Sequence, residues 1–171
     1  MSIYRRYILN EDWPEDRAKD PVKTTITALR KSLFIPASVK KAMKGGRSSI
    51  DISVEKWQRI DTILQESTRL TTIAALEPFI GANTCGLCLA AIEAYKAQRG
   101  ELKDNLSKCE MCPLANIERC PDNNSVFSQI DKIVSFARNA PQVFADDADA
   151  FDQIRPLVKK LLEYLTSLQS A

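Results

Sequence analysis

Cys85, Cys88, Cys109, Cys112 and Cys120 are the only five cysteines of this 171-residue chain, which contains no histidine. Their spacing reads C-x2-C, twenty residues, C-x2-C, seven residues and a last cysteine. Two thiolates two residues apart can chelate one soft ion, and a second pair brought from elsewhere in the chain completes four sulfur ligands. A fold that uses this pattern must bring segments twenty residues apart to one place. Five candidates compete for four positions.

Composition narrows the class. A 44% hydrophobic and 27% charged chain is ordinary for a soluble globular protein, and 171 residues suit a single domain. No apolar run approaches the roughly 18 residues of a membrane span, and Met1 to Trp13 lacks the apolar stretch of a secretory signal. A cytoplasmic protein without membrane partners is therefore expected. An odd cysteine count without an export signal favours metal ligation over a disulfide framework. Charge is uneven: residues 1–60 carry 13 Lys and Arg against 7 Asp and Glu, a net of +6, and residues 61–171 carry 11 against 15, a net of −4. Arg5 and Arg6, and the cluster Lys40, Lys41, Lys44 and Arg47 around Gly45-Gly46, are candidate phosphate contacts.

The periodicity is chiefly helical. Asp20-Pro21 is a helix start, followed by Val22, Ile26, Leu29 and Leu33 on one face. Pro36 ends that helix, and a short one over 37–44 stops at the glycine pair. Ser48 to Ser53 alternates with period 2 and predicts a short strand. Ser53 is expected to cap the next helix, carrying Trp57, Ile60, Ile63 and Leu64, with a break near Ser67-Thr68. A helix over 89–98 stops at Gly100. Two regular stripes follow, Val126 to Ala137 and Ile154 to Leu168, both suited to a core. The reading is a mainly α helical bundle with one short strand or extended segment near 48–53 and a thiolate metal site joining helices. Its parts are a basic segment with two helices (1–47), a cysteine metal-binding region (48–121) and a C-terminal helical pair (122–171).

Zinc suits the cysteines. Gly86 permits a tight backbone between Cys85 and Cys88, and Cys109 to Cys112 supplies the second pair. Four thiolates around Zn²⁺ leave a net charge of −2, which Lys108 and Arg119, each beside a cysteine, are placed to offset. The alternative is a [4Fe-4S] cluster, also held by four cysteines, and the Cys112-Pro113 and Cys120-Pro121 steps resemble ferredoxin-type runs. Without Cys85, the remaining four are similar in outline to the WhiB-like regulators, though Pro121 to Asn124 stands where those have a Gly/Trp-rich turn.

Catalytic constellations are missing. No βαβ unit surrounds the C-x-x-C pairs, an all-thiolate zinc is closed to hydrolytic chemistry, and H-x-E is absent. Histidine-based nucleophilic sites are excluded, and there is no phosphate loop. An enzyme is not expected.

The series Lys56-Trp57-Gln58-Arg59-Ile60, then Asn83-Thr84-Cys85-Gly86-Leu87-Cys88, then Cys109-Glu110-Met111-Cys112-Pro113, then Cys120 resembles a group of small phage and prophage proteins. These bear K-W-x-x-I, N-C-x-L-C, C-x-x-C-P and a final cysteine. The likeness covers about residues 53–121, with longer spacings here and no T-P-Y after the last cysteine. It implies a viral or mobile-element origin and a helical metal-binding module, with no reaction attached. Three functions follow. The first is a non-enzymatic interaction protein, with zinc pinning helices and a helical or basic face docking on a protein partner or larger assembly. The second is a nucleic-acid-binding regulator, since Ile50 to Asp61 is similar to the strand-then-helix start of ribbon-helix-helix repressors. The third is an iron–sulfur sensor or redox subunit.

Overall fold

The computed structural model describes residues 20–104 and 106–170. Seven α-helices follow one another among these described residues: α1 (Pro21–Leu29), α2 (Pro36–Lys44), α3 (Ser49–Glu66), α4 (Leu70–Ala74), α5 (Gly86–Arg99), α6 (Val126–Asn139) and α7 (Asp147–Gln169), with short 3-10 turns between several of them. Among the described residues there is no β-strand, and no helix is long and apolar enough to cross a membrane.

The expected strand at 48–53 is instead the start of α3. Ser48 Oγ accepts from the backbone N–H of Ile50 (3.2 Å) and Asp51 (3.5 Å), so Ser48 is the cap and Ser53 lies inside the helix. The physical reason is twofold. The period-2 run is short and has no partner strand to take up its backbone groups. Ile52, Lys56, Ile60 and Leu64, four residues apart, instead form one buried helical stripe.

The other boundaries follow local chemistry. Asp20 Oδ1 caps α1 by accepting from Val22 N–H at 2.9 Å, with Pro21 in the first turn. Helix α1 ends at Leu29, earlier than Leu33, and Pro36 opens α2 after the intervening turn. The break after Glu66 is held by Arg155, whose Nε and Nη2 donate to Leu64 O (3.0 and 2.8 Å) and whose Nη2 donates to Ser67 O (3.2 Å). A guanidinium thus caps the carbonyl end of α3 from α7. Asp147 in turn accepts from Leu70 N–H at 3.0 Å, fixing the start of α4. Gly100, at φ +83°, ends α5 in a conformation that favours glycine.

Helix α3 packs on α7 and α5, and α7 on α6. Their apolar stripes meet in one core that includes Trp57, Ile60, Leu64, Leu87, Ile130, Val134, Ile154, Val158, Leu161 and Leu165. Each such large side chain taken fully from water contributes roughly 1.5–3 kcal/mol. A smaller cluster of Phe34, Val39 and Ile52 joins α2 to α3. Cys85, Cys112 and Cys120 pack against the margin of the main core, and this margin carries the candidate site.

Candidate metal centre

Helix α5 is set directly against α3. A Cβ on Gly86 would stand 2.6 Å from Ser49 O and 3.2 Å from Ser53 Oγ, so glycine is needed here for helix contact. The role expected of Gly86, freedom for a tight knuckle, is therefore replaced by close approach. Ser53 Oγ donates to Ser49 O (2.8 Å) and accepts from Leu87 N–H (3.3 Å), stitching the two helices at this point. Cys85 immediately precedes α5 and Cys88 lies in its first turn.

The remaining cysteines arrive on the loop between α5 and α6. Asp104 Oδ1 accepts from Leu106 N–H (2.8 Å) and Ser107 N–H (2.7 Å), shaping the entry to a 3-10 turn, Ser107–Met111, that holds Cys109. This turn packs against α5. Cys112 N–H donates to Cys109 O at 3.2 Å, and Pro113 opens the next turn, Pro113–Asn116. Beyond it, Ser125 Oγ donates to Cys120 O (2.7 Å), and Glu118 Oε2 accepts from Val126 N–H (2.7 Å). The first turn of α6 thereby positions Cys120.

All five thiols are half-buried and none is in a disulfide. They gather on two cavities with a common wall. Cys88, Cys109, Cys112 and Cys120, with Lys108 and Arg119, line a small one of about 20 Å³, room for about one water-sized sphere. Cys85, Cys88, Cys109 and Cys120 border a larger one of about 480 Å³, together with Lys56, Trp57 and Phe127. The two C-x2-C pairs thus face one region. Among the described residues, however, no three Cys, Asp or Glu side chains stand as a ready-made ion-binding group.

The donor set is chemically apt for a soft ion, being rich in sulfur and lacking imidazole. The Cys85 thiol is pushed down to about 5 by the hydrogen bond with the Cys88 thiol, against the effect of burial, and is aided by the Lys56 ammonium, the Cys88 N–H and the Ser53 hydroxyl. Cys88 is driven strongly up by the same hydrogen bond, then by burial and neighbouring thiols. The two thiols are joined by one hydrogen bond and titrate as a pair. Burial, followed by the neighbouring thiols, pushes Cys120 up to about 12. Burial is also the main cause of the upward shift at Cys112.

Lys56 is the residue that sequence reasoning missed. It is 1% exposed, and its Nζ donates to Thr84 Oγ1 (3.0 Å) and Thr84 O (3.2 Å) while lying 5.5 Å from the Trp57 ring centroid. Burial lowers its ammonium to about 8 despite the opposing pull of Cys85, Cys88 and Cys120. The signal was its register: Lys56 occupies the apolar stripe of Ile52, Ile60 and Leu64, where a solvated lysine would not fall.

Lys108 is half-buried and lines both cavities, while Arg119 is exposed and lines the smaller. Lys40, Lys41, Lys44 and Arg47 are exposed on α2 and the turn after it, and line neither cavity. Arg47 and Arg59 both pair with Glu55, so part of that positive charge is neutralised. Arg5 and Arg6 lie outside the described residues. Comparison with protein-family models, with curated proteins and with solved structures finds no match.

Proposed function

We propose that this chain is a non-enzymatic metal-binding interaction protein in which one thiolate-held zinc ion fastens the α5–α6 loop to α5, preparing a surface for a protein partner. The observation that carries this reading is the gathering of all five cysteines, from both sides of a twenty-residue gap, on two cavities with a common wall. Cys88, Cys109, Cys112 and Cys120 are the natural ligands, because the smaller cavity they line has the scale of one ion. Zinc held by four thiolates is coordinatively closed, so its contribution is to cross-link the chain rather than to activate water. The loop it would cross-link has only 3-10 turns of its own, and such a segment gains most from an added tie.

One observation favours a second reading. The larger cavity is bordered by a different four, Cys85, Cys88, Cys109 and Cys120, and its volume of about 480 Å³ suits a multi-atom iron–sulfur cluster. The two readings leave different cysteines over: Cys85 for zinc, Cys112 for the cluster. Single serine substitutions at the two positions, followed by metal analysis, separate them. The zinc reading expects Cys85→Ser to keep its metal and Cys112→Ser to lose it, and the reverse pattern would transfer support to the cluster. For nucleic-acid binding, the segment likened to a ribbon is helical within α3, so among the described residues it is the exposed basic face of α2 that speaks for it.

A further inference from the structure

Lys56 is fully enclosed, and its ammonium has three protons to place. Thr84 supplies two acceptors, Oγ1 and the carbonyl. Thr84 Oγ1 itself donates towards Phe79 O (2.7 Å), so its orientation is fixed from the far side. No carboxylate pairs with Lys56 among the described residues. A buried ammonium held only by neutral oxygens is costly, and such groups are normally paired with an opposite charge. The ionisable groups of opposite sign within its electrostatic reach are the thiols of Cys85, Cys88 and Cys120, of which Cys85 is pushed down and the other two are pushed up. All of these border the same cavity as Lys56.

We infer that Lys56 is the buried counter-cation of the thiolate centre: its charge is incompletely matched in the metal-free protein and is fully compensated when the cysteines ionise together around a metal. The inference rests on the metal-binding reading above and assigns it a residue outside the ligand set. Four thiolates around a divalent ion carry an excess of two negative charges. Lys108 and Arg119 reach water and are screened, whereas Lys56 acts through a desolvated interior where charge interactions are strong. Lys56 is a positioning residue, acting on the ion through the ligands. Its anchorage is built for this. Thr84, which holds the ammonium, directly precedes Cys85, so the same backbone places both charges.

The test separates a charge role from a structural one by sign. In Lys56→Met, the metal-free protein is expected to resist urea at least as well as the parent, because a buried charge is replaced by an apolar chain of similar length. Its zinc affinity, measured by chelator competition, is expected to fall at least tenfold. Lys108→Met and Arg119→Met are expected to change affinity less than threefold. Thr84→Val, which removes one hydrogen-bond acceptor but no charge, should weaken the metal-free fold. If Lys56→Met binds zinc as tightly as the parent, or does not fold without metal, Lys56 is a structural anchor and the inference is overturned. If the parent itself takes up no stoichiometric zinc, the metal-binding reading fails first and takes the inference with it.

Discussion

Replacing Gly86 by alanine probes the contact on which the position of Cys85 and Cys88 depends. The added Cβ would lie 2.6 Å from Ser49 O, whereas ordinary contact begins at 3.4 Å, so the helices must part by about 0.8 Å at this point. The obstructing atom is backbone, with no flexible side-chain end to yield. Overpacking of this kind costs about 1–3 kcal/mol. Gly86 is the first residue of α5, where alanine's interior propensity advantage is not realised, so the net loss stays at about 1–3 kcal/mol. Separation also strains the Leu87 N–H to Ser53 Oγ bond, already 3.3 Å long. Urea unfolding of the metal-free protein, followed by circular dichroism, should show a lower midpoint at unchanged slope. The half-buried Cys85 should also react faster with a thiol reagent. An alanine variant as stable as the parent, or more so, would refute the close-packing argument and return Gly86 to a loop role.

Three further outcomes are expected. Arg155→Met leaves Leu64 O and Ser67 O without their donors and should cost about 1–3 kcal/mol in urea unfolding, with Arg155→Lys recovering part of the loss. Cys88, Cys112 and Cys120 have raised thiols, and therefore still carry their protons at neutral pH in the metal-free protein. A metal must displace those protons, so zinc affinity should rise from pH 6 to pH 8. Calorimetry in buffers of differing ionisation heat should register proton release, and pH-independent binding would contradict these shifts. Changing Lys40, Lys41 and Lys44 together to Glu should leave metal content and helicity unaltered, since these side chains are exposed and line neither cavity. Salt-sensitive RNA or DNA binding by the parent that disappears in this variant would revive the nucleic-acid reading.

Signals made by neighbouring residues were readable without coordinates. Asp20-Pro21 begins a helix because a carboxylate cap and a fixed proline φ act within one turn. The stripes ending at Ala137 and Leu168 repeat often enough to specify their helices, and Gly100 ends α5 as expected. The Ser48–Ser53 run misled because Ile50 and Ile52 satisfy period 2 over a few residues. The competing helical stripe becomes visible only when Lys56 is admitted as a buried residue, and its charge argues against that. The same bias hid the buried cation that borders the larger cavity and favoured Lys108 and Arg119, which adjoin Cys109 and Cys120 along the chain. Gly86 was visible as special, but the reason depends on Ser49, 37 residues away, and no local pattern encodes that approach.

The most direct measurement is the metal content of the full chain purified without oxygen, read by elemental analysis and absorption spectroscopy together. The account predicts a colourless protein with one zinc per chain, released when the thiols are modified. Brown protein carrying iron and sulfide, or a folded protein with no bound metal under these conditions, would contradict it.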